Sequence, residues 1–160
     1  MKLRKLGQDG PAVSPVGIGA MSFTNFYGPT SEAASVAILD AALEAGVTLI
    51  DTANVYGAGS SETLIGQYLK ANPAAKQAFK ICTKAGITRK PDGTGNFFDN
   101  SAKHLESELD KSLGRLGIEA VDLFYIHRRD QSIPVEEVAH TLAGFVKAGK
   151  VKAIGFSEIA

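Results

Sequence analysis

Four polar side chains that can carry or exchange a proton stand at or just after the ends of apolar segments. They are Asp51, Tyr56, Lys84 and His127. The segments that carry them span residues 47–57, 79–86 and 121–128. Apolar runs of this length without strict alternation are typical of parallel strands buried on both faces. Because the carboxyl ends of neighbouring parallel strands lie at one edge, about 5 Å apart, we expect the four side chains to come within hydrogen-bonding reach.

Such a group could reduce a carbonyl by hydride transfer, because the carbonyl oxygen becomes an alkoxide and needs a positioned acid. Tyr56 is the candidate acid, and the Lys84 ammonium would ease its proton donation by favouring the phenolate form. Asp51 would keep Lys84 charged and oriented, since an unpaired ammonium in a partly dry pocket tends to lose its proton. His127 could donate a hydrogen bond to the substrate oxygen. None of the four is a hydride source, so this chemistry requires a nicotinamide cofactor.

Each of these residues also has a purely structural interpretation. Asp51 and Lys84 could form a buried ion pair at a strand end. His127 could cap a strand or titrate at the surface, and Tyr56, in a glycine-rich loop, could simply pack its ring. The joint placement of all four at strand ends favours the active-site interpretation.

The other histidines and the single cysteine receive no chemical role. His104 and His140 lie on predicted helices, where we expect solvated surface positions. No metal site is predicted, because His127 has no histidine or cysteine partner at ligand spacing. Cys82 lies in the middle of a predicted strand, so we expect a packed thiol rather than a nucleophile. One cysteine forms no internal disulfide, which suits a reducing compartment.

Composition points to a single globular domain that acts on small molecules. The chain has 160 residues, 44% of them hydrophobic, and its 17 basic residues balance 17 acidic ones. Without a charged block, nothing recommends a nucleic acid or an anionic membrane as partner. The sequence lacks a signal-peptide pattern and the roughly 18 consecutive apolar residues of a membrane helix. We therefore expect a cytoplasmic protein.

The order of predicted elements is that of repeated βα units. A turn signal at residues 8–11 predicts an N-terminal hairpin that plugs one end of the sheet. Five core strands are predicted within residues 15–21, 47–57, 79–86, 121–128 and 151–157. Four helices are predicted to begin near Ser31, Ser60, Ser101 and Pro134. An open flavodoxin-like sheet is an alternative, but the hairpin and the lack of a helix after the fifth strand disfavour it.

Other catalytic and nucleotide-binding motifs are not found. The sequence contains no G-x-S-x-G elbow, P-loop or H-E-x-x-H motif. The fragment at residues 17–20 follows a strand but lacks the third glycine and the later acidic residue of a Rossmann fingerprint. Dinucleotide binding of the Rossmann type is therefore not expected.

Four segments, in order, resemble the aldo-keto reductase family along the full chain. They are DTANVYG at 51–57, TKAG at 83–86, SLGRLGIEAVDLFYIHR at 112–128 and GKVKAIGFSEIA at 149–160. The resemblance implies an α/β fold of the (β/α)8 TIM-barrel type, with an N-terminal hairpin closing the bottom and the active site at the carboxyl ends of the strands. It also implies reduction of aldehydes or ketones with NADPH.

The resemblance further implies roles for individual residues. Asp51, Tyr56, Lys84 and His127 match the family's catalytic tetrad, with Tyr56 as general acid. The residues implied to bind the cofactor are Met21, Asp51, Ser157 and Glu158. Many members have Ser-Asn where this chain has Ser157 and Glu158, so the glutamate marks a subgroup. The loop at residues 87–100, with Phe97 and Phe98, could form part of the substrate wall.

Length is the main departure from the family pattern. A family barrel needs eight strands and about 250 residues, whereas this sequence predicts five core strands. We therefore expect residues 1–160 to be the N-terminal part of a single barrel domain, or else a chain that self-associates through exposed barrel edges. The alternative function is a non-catalytic homologue that binds a nucleotide or a protein partner.

Overall fold

A five-stranded parallel sheet forms the centre of the protein. The computed structural model describes residues 1–8, 10–89 and 94–158. The central strands, in spatial order, are β3 (Ile18–Gly19), β4 (Leu49–Asp51), β5 (Lys80–Ala85), β8 (Leu123–Ile126) and β9 (Ile154–Phe156). Each strand pairs with the next in parallel, as the repeated βα units predict. All five carboxyl ends therefore lie at the same edge.

Among the described residues, five α-helices connect and cover these strands. They are α1 (Glu32–Glu44), α2 (Ser60–Ala71), α3 (Pro73–Ala78), α4 (Ala102–Leu116) and α5 (Val135–Lys147). The hydroxyls of Ser31 and Ser101 accept hydrogen bonds from the third following backbone N–H and so cap α1 and α4. Pro134 precedes α5 as predicted. The part of the chain that the structure describes also contains three short 3-10 helices, at Ala20–Phe23, Asn25–Tyr27 and Tyr56–Gly59.

The two faces of the sheet have different neighbours. Ile50, Ile81 and Phe124 are buried in the main hydrophobic core with the helices, and the Phe124 ring lies 6.1 Å from that of Phe145 on α5. On the other face a cavity of about 310 Å³ lies between strand residues and the N-terminal hairpin. Its lining includes Leu6, Pro11, Leu49, Cys82, Leu123 and Tyr125.

The N-terminal hairpin is confirmed. β1 (Arg4–Lys5) pairs with β2 (Ala12–Val13) in antiparallel fashion. Leu6, Gly7 and Pro11 help to line the cavity together with residues near the beginnings of the central strands. The hairpin thus covers the amino ends of the strands, opposite the edge that carries the four polar residues. Asp9, part of the predicted turn, lies outside the described residues.

The structure corrects several expectations. The predicted loop at residues 87–100 contains a small antiparallel pair, β6 (Ile87–Arg89) with β7 (Asn96–Phe98), and residues 90–93 of that loop lie outside the described part of the chain. Helix α3 was not predicted; Pro73 lies at its first turn, where the missing proline N–H costs no helical hydrogen bond. The strands are shorter than the apolar segments that predicted them, although flanking residues still bond to the neighbouring strand, as the Thr52 N–H does to the Cys82 carbonyl and the His127 N–H to the Ala85 carbonyl. No helix among the described residues is long and apolar enough to cross a membrane.

Candidate active site

Asp51 and Lys84 form an ion pair at the carboxyl ends of neighbouring strands. β4 and β5 run in parallel, and the Lys84 ammonium donates to the Asp51 carboxylate. The ammonium also donates to the Thr52 carbonyl at 2.9 Å. Lys84 is buried, with a side chain 9% exposed, while the Asp51 side chain is 38% exposed. The pair therefore presents its carboxylate to the edge of the sheet and keeps its ammonium inside.

Tyr56 reaches this pair from the loop that follows β4. Its hydroxyl accepts a hydrogen bond from the Lys84 ammonium at 3.3 Å, and the ammonium lies 5.0 Å from the centre of the ring. The backbone N–H of Asn54 donates to the Lys84 carbonyl at 3.0 Å, which ties the loop to β5. The chain then turns sharply through Gly57 and Ala58, whose φ values are 58° and 53°. This turn leads the chain from Tyr56 directly into α2.

His127 completes the group from the strand beyond Lys84. Its imidazole packs edge-on against the Tyr56 ring, with ring centres 5.7 Å apart. Burial, with the nearby positive charges of Lys84 and Arg128, lowers the pKa of His127 from 6.5 to about 4. The imidazole is therefore neutral at pH 7 and carries one N–H. Its Nδ1 atom is buried and has no hydrogen-bond partner among the described residues.

The structure thus brings all four predicted residues together. The Tyr56 hydroxyl contacts a buried ammonium, which is paired with a carboxylate, and a neutral imidazole packs beside the tyrosine ring. This arrangement can donate a proton from Tyr56 to a ligand oxygen and stabilise the resulting phenolate through Lys84. The Cys82 thiol is buried on the same strand, and burial raises its pKa to about 12, so the packed-thiol prediction is confirmed.

The residues predicted to bind a cofactor lie on both sides of this group. Met21 follows β3, which lies next to the strand of Asp51, and its sulfur accepts a hydrogen bond from the Tyr27 hydroxyl at 3.7 Å. Ser157 and Glu158 follow β9 at the other end of the sheet. The Glu158 carboxylate forms a 2.9 Å ion pair with Arg128, which ties the ends of β8 and β9 together. The structure therefore places Met21 and Asp51 towards one end of the carboxyl edge of the sheet, and Ser157 and Glu158 at the other end.

Asn100 supports the His127 segment and was not singled out from the sequence. It is buried, its amide donates to the Arg128 carbonyl at 3.1 Å, and its carbonyl oxygen accepts from the Asp130 backbone N–H at 2.7 Å. A Cβ atom at Gly86 would lie 2.6 Å from the Asn100 amide nitrogen, so glycine is needed there. The only sequence signal is its position one residue before the Ser101 cap, which predicts an exposed loop rather than a buried bridge.

The histidines on helices give mixed outcomes. His140 is exposed on α5, as predicted. His104 was predicted to be a solvated surface residue, but its side chain is only 18% exposed and its Nε2 atom is buried. The helical pattern did not reveal the loop at Asp99, whose carboxylate lies 3.7 Å from His104 Nδ1. Among the described residues, no three histidine, cysteine, aspartate or glutamate side chains are arranged to hold a metal ion.

Comparisons with known proteins agree with this architecture. The family model described as the aldo/keto reductase family matches residues 15–160. The chain is 38% identical to the aldo-keto reductase yakc [NADP(+)] of Schizosaccharomyces pombe, covering 97% of this chain and 45% of that protein. It is 37% identical to the 6-dehydroglucose reductase of Novosphingobium aromaticivorans, covering 97% of this chain and 51% of that protein. The chain therefore spans about half the length of the curated relatives it matches.

Solved structures give the same result. An aldo-keto reductase of Bacillus halodurans in its holo form superposes with a TM-score of 0.87 at 30% identity, over 99% of this chain and 51% of that one. A glycerol dehydrogenase of Gluconobacter oxydans gives 0.85 at 31% identity, over 99% and 48%. The predicted TIM-barrel class is confirmed, with the five strands forming an incomplete barrel. From its matched segments, its barrel strands and the grouping of side chains at their ends, this chain belongs to the aldo/keto reductase family.

Proposed function

We propose that the protein containing this chain reduces aldehyde or ketone carbonyls to alcohols with hydride from NADPH, using Tyr56 as the general acid. The observation that carries the proposal is the Lys84 ammonium, which contacts the Asp51 carboxylate and lies 3.3 Å from the Tyr56 hydroxyl. A buried ammonium beside a phenol stabilises the phenolate that proton donation leaves behind. A structural ion pair alone would not require a tyrosine hydroxyl at this position.

The proposed reaction assigns one task to each side chain. The substrate oxygen accepts a hydrogen bond from the Tyr56 hydroxyl, and the neutral His127 imidazole can donate a second one from its N–H. As negative charge develops on this oxygen, the phenol proton moves to it and the alcohol forms. The phenolate that remains is stabilised by Lys84, and Asp51 holds the ammonium in place. The tyrosine later regains a proton from solvent, so the protons balance.

The residues at the strand ends have the donors and acceptors that a nicotinamide cofactor needs. The Ser157 hydroxyl can donate to the carboxamide oxygen, and the Glu158 carboxylate can accept from the carboxamide NH₂. Asp51, whose side chain is 38% exposed, can accept from a ribose hydroxyl, and Met21 follows β3, the strand that pairs with the strand of Asp51. When bound, the reduced nicotinamide supplies the hydride that the carbonyl carbon accepts. The names of two relatives, an NADP(+) reductase and a 6-dehydroglucose reductase, support this cofactor and reaction class.

The substrate is proposed to be a small carbonyl compound that enters beside the β6–β7 hairpin. Phe97 and Phe98 on β7 are 38% and 44% exposed and could cover the substrate. We further propose that residues 1–160 form the N-terminal part of one barrel domain, with self-association through the edge strands β3 and β9 as the alternative. A cytoplasmic location is in keeping with the single buried thiol of Cys82.

The test is Tyr56→Phe in the full-length natural protein, assayed by NADPH oxidation with a panel of aldehydes and ketones. We expect kcat to fall about 100-fold or more, the usual loss for a general acid, while NADPH binding measured by fluorescence titration stays unchanged. Tyr68→Phe is the matched control, because the Tyr68 hydroxyl donates to Asp40 at 2.7 Å, away from the strand ends. Full turnover by Tyr56→Phe would refute the assignment. Tight NADPH binding without turnover by the unmodified protein would instead favour the non-catalytic alternative.

A further inference from the structure

The first turn of α2 buries two consecutive polar residues against the helix-facing side of the sheet. Ser61 and Glu62 both have 0% exposure. A buried carboxylate is costly unless it is paired and hydrogen-bonded. Neither residue touches the group formed by Tyr56 and its neighbours, so the proposed mechanism leaves both unexplained.

Ser61 connects two strand ends. Its hydroxyl donates to the Ala20 carbonyl at 2.8 Å and lies 2.9 Å from the Thr52 hydroxyl. Since a serine has one hydroxyl proton and Ser61 gives it to Ala20, Thr52 is the donor in the second bond. Ala20 precedes Met21 and Thr52 follows Asp51, so Ser61 fixes the backbone beside two predicted site residues.

Glu62 binds the strand of Lys84. One carboxylate oxygen accepts from the Thr83 hydroxyl at 2.5 Å, and the other accepts from Arg115 Nε at 2.7 Å. Thr83 is fully buried and directly precedes Lys84. Because successive residues of a strand point to opposite faces, holding Thr83 on the helix side fixes the Lys84 side chain on the inner side.

Arg115 is itself held firmly in place. Its guanidinium donates to the Ser112 hydroxyl at 3.1 Å, and a Cβ atom at Gly59 would lie 2.7 Å from Arg115 Cδ. Gly59 ends the turn that starts at Tyr56, so the arginine packs under the tyrosine loop and pairs with Glu62 on the next helix turn. A single chain of contacts therefore runs from the Tyr56 loop through Arg115, Glu62 and Thr83 to Lys84.

We propose that Ser61 and Glu62 are positioning residues that set the separation between the Tyr56 hydroxyl and the Lys84 ammonium. This inference rests on the proposed carbonyl reduction for its effect on rate. The two residues touch neither substrate nor cofactor. They act by joining the start of α2, which carries the Tyr56 loop, to the strands that carry Asp51 and Lys84.

The kinetic test is Thr83→Val, which keeps the shape of the side chain and removes the hydroxyl that Glu62 binds. We expect kcat for carbonyl reduction to fall about 10- to 100-fold, because a small displacement of reacting groups causes a loss of this size. The KM for the carbonyl should be nearly unchanged. Thr83→Ser restores the hydroxyl and should recover most of the rate. Thr48→Val is the matched control, because the Thr48 hydroxyl accepts from the Ser14 N–H at 2.8 Å at the opposite end of the sheet. A loss of kcat in Thr83→Val no larger than in Thr48→Val, at similar loss of melting temperature, would overturn the proposal.

Crystal structures of the unmodified protein and Thr83→Val give a readout that does not depend on activity. We expect the Lys84 Nζ to Tyr56 Oη separation, 3.3 Å here, to exceed hydrogen-bonding distance in the variant. An unchanged separation would overturn the positioning role even if the enzyme is active. If the unmodified protein reduces no carbonyl, the proposed function is wrong, and the two structures alone decide whether Glu62, through Thr83, positions these groups.

Discussion

Removing the carboxylate of the Asp51–Lys84 pair should destabilise the fold more than removing the ammonium. The asymmetry follows from exposure, because the Lys84 side chain is 9% exposed and that of Asp51 is 38% exposed. Asp51→Asn leaves a buried positive charge whose remaining partners are the neutral Thr52 carbonyl and Tyr56 hydroxyl. Lys84→Met leaves a carboxylate that water can already reach.

The loss of stability in Asp51→Asn should lie between the values for a fully buried and a fully exposed ion pair. Breaking a fully buried ion pair costs about 3–5 kcal/mol, and an exposed pair contributes about 0–1 kcal/mol. With one buried and one partly exposed partner, we expect Asp51→Asn to lower the free energy of unfolding by about 2–3 kcal/mol. Lys84→Met should cost about 1 kcal/mol or less, because it also removes the desolvation penalty of the ammonium. The double variant should resemble Lys84→Met, since no unpaired buried charge remains.

Urea unfolding at pH 7, followed by circular dichroism, measures all three variants. Asp110→Asn is the control, because it removes a surface ion pair between Asp110 and Lys150. The Asp110 side chain is 52% exposed and the Lys150 side chain 33% exposed. That control should change stability by about 1 kcal/mol or less. If Asp51→Asn proves no more destabilising than Lys84→Met, the buried Lys84 ammonium does not need the Asp51 carboxylate for its stability, and the reasoning fails.

Two further predictions concern stability away from this ion pair. Burial lowers the pKa of His127 from 6.5 to about 4 in the folded protein. The neutral imidazole therefore contributes its full share to the free energy of unfolding above pH 6.5, and this contribution is lost as the pH falls towards 4. Between pH 7 and pH 4.5 the free energy of unfolding should therefore fall less in His127→Gln than in the unmodified protein, by on the order of 2–3 kcal/mol. Urea unfolding at several pH values measures this difference, and a substitution of the exposed His140 should leave the pH dependence unchanged. A Cβ at Gly66 on α2 would lie 2.2 Å from the Arg115 carbonyl oxygen, so Gly66→Ala should destabilise by about 1–3 kcal/mol. Gly114→Ala on α4, where a Cβ meets nothing within 4 Å, should stabilise the folded protein by up to about 1 kcal/mol. A higher melting temperature for Gly66→Ala than for Gly114→Ala would contradict this packing.

The strands and the grouping of polar residues were predictable because both depend on local pattern. Uninterrupted apolar segments mark buried parallel strands, and parallel pairing then brings their ends to one edge. The structure confirms this grouping for Asp51, Tyr56, Lys84 and His127. Their catalytic roles stay predictions, as do those of the residues predicted to bind the cofactor.

The supporting residues could not be predicted in this way. Glu62 follows two serines at a helix start, where a glutamate normally interacts with the helix dipole in water. Its burial depends on Thr83 and Arg115, which lie 21 and 53 residues away in sequence. Asn100 is hidden for the same reason, because its partner Arg128 lies 28 residues further on. Contacts between distant segments leave no periodic signal in a single sequence.

The alternation of a strand explains why chemistry and support occur at the same level of the sheet. Further from the edge, residues facing the helices are apolar, as Ile50 and Ile81 show. At the carboxyl ends, Thr52 and Thr83 face the helices and bind α2, while the adjacent Asp51 and Lys84 face inward and bind each other. The strands that carry the inward pair are therefore also held by hydrogen bonds on the helix side of the sheet. It follows that a change in the β6–β7 hairpin, which makes none of these hydrogen bonds, should leave the ion pair in place.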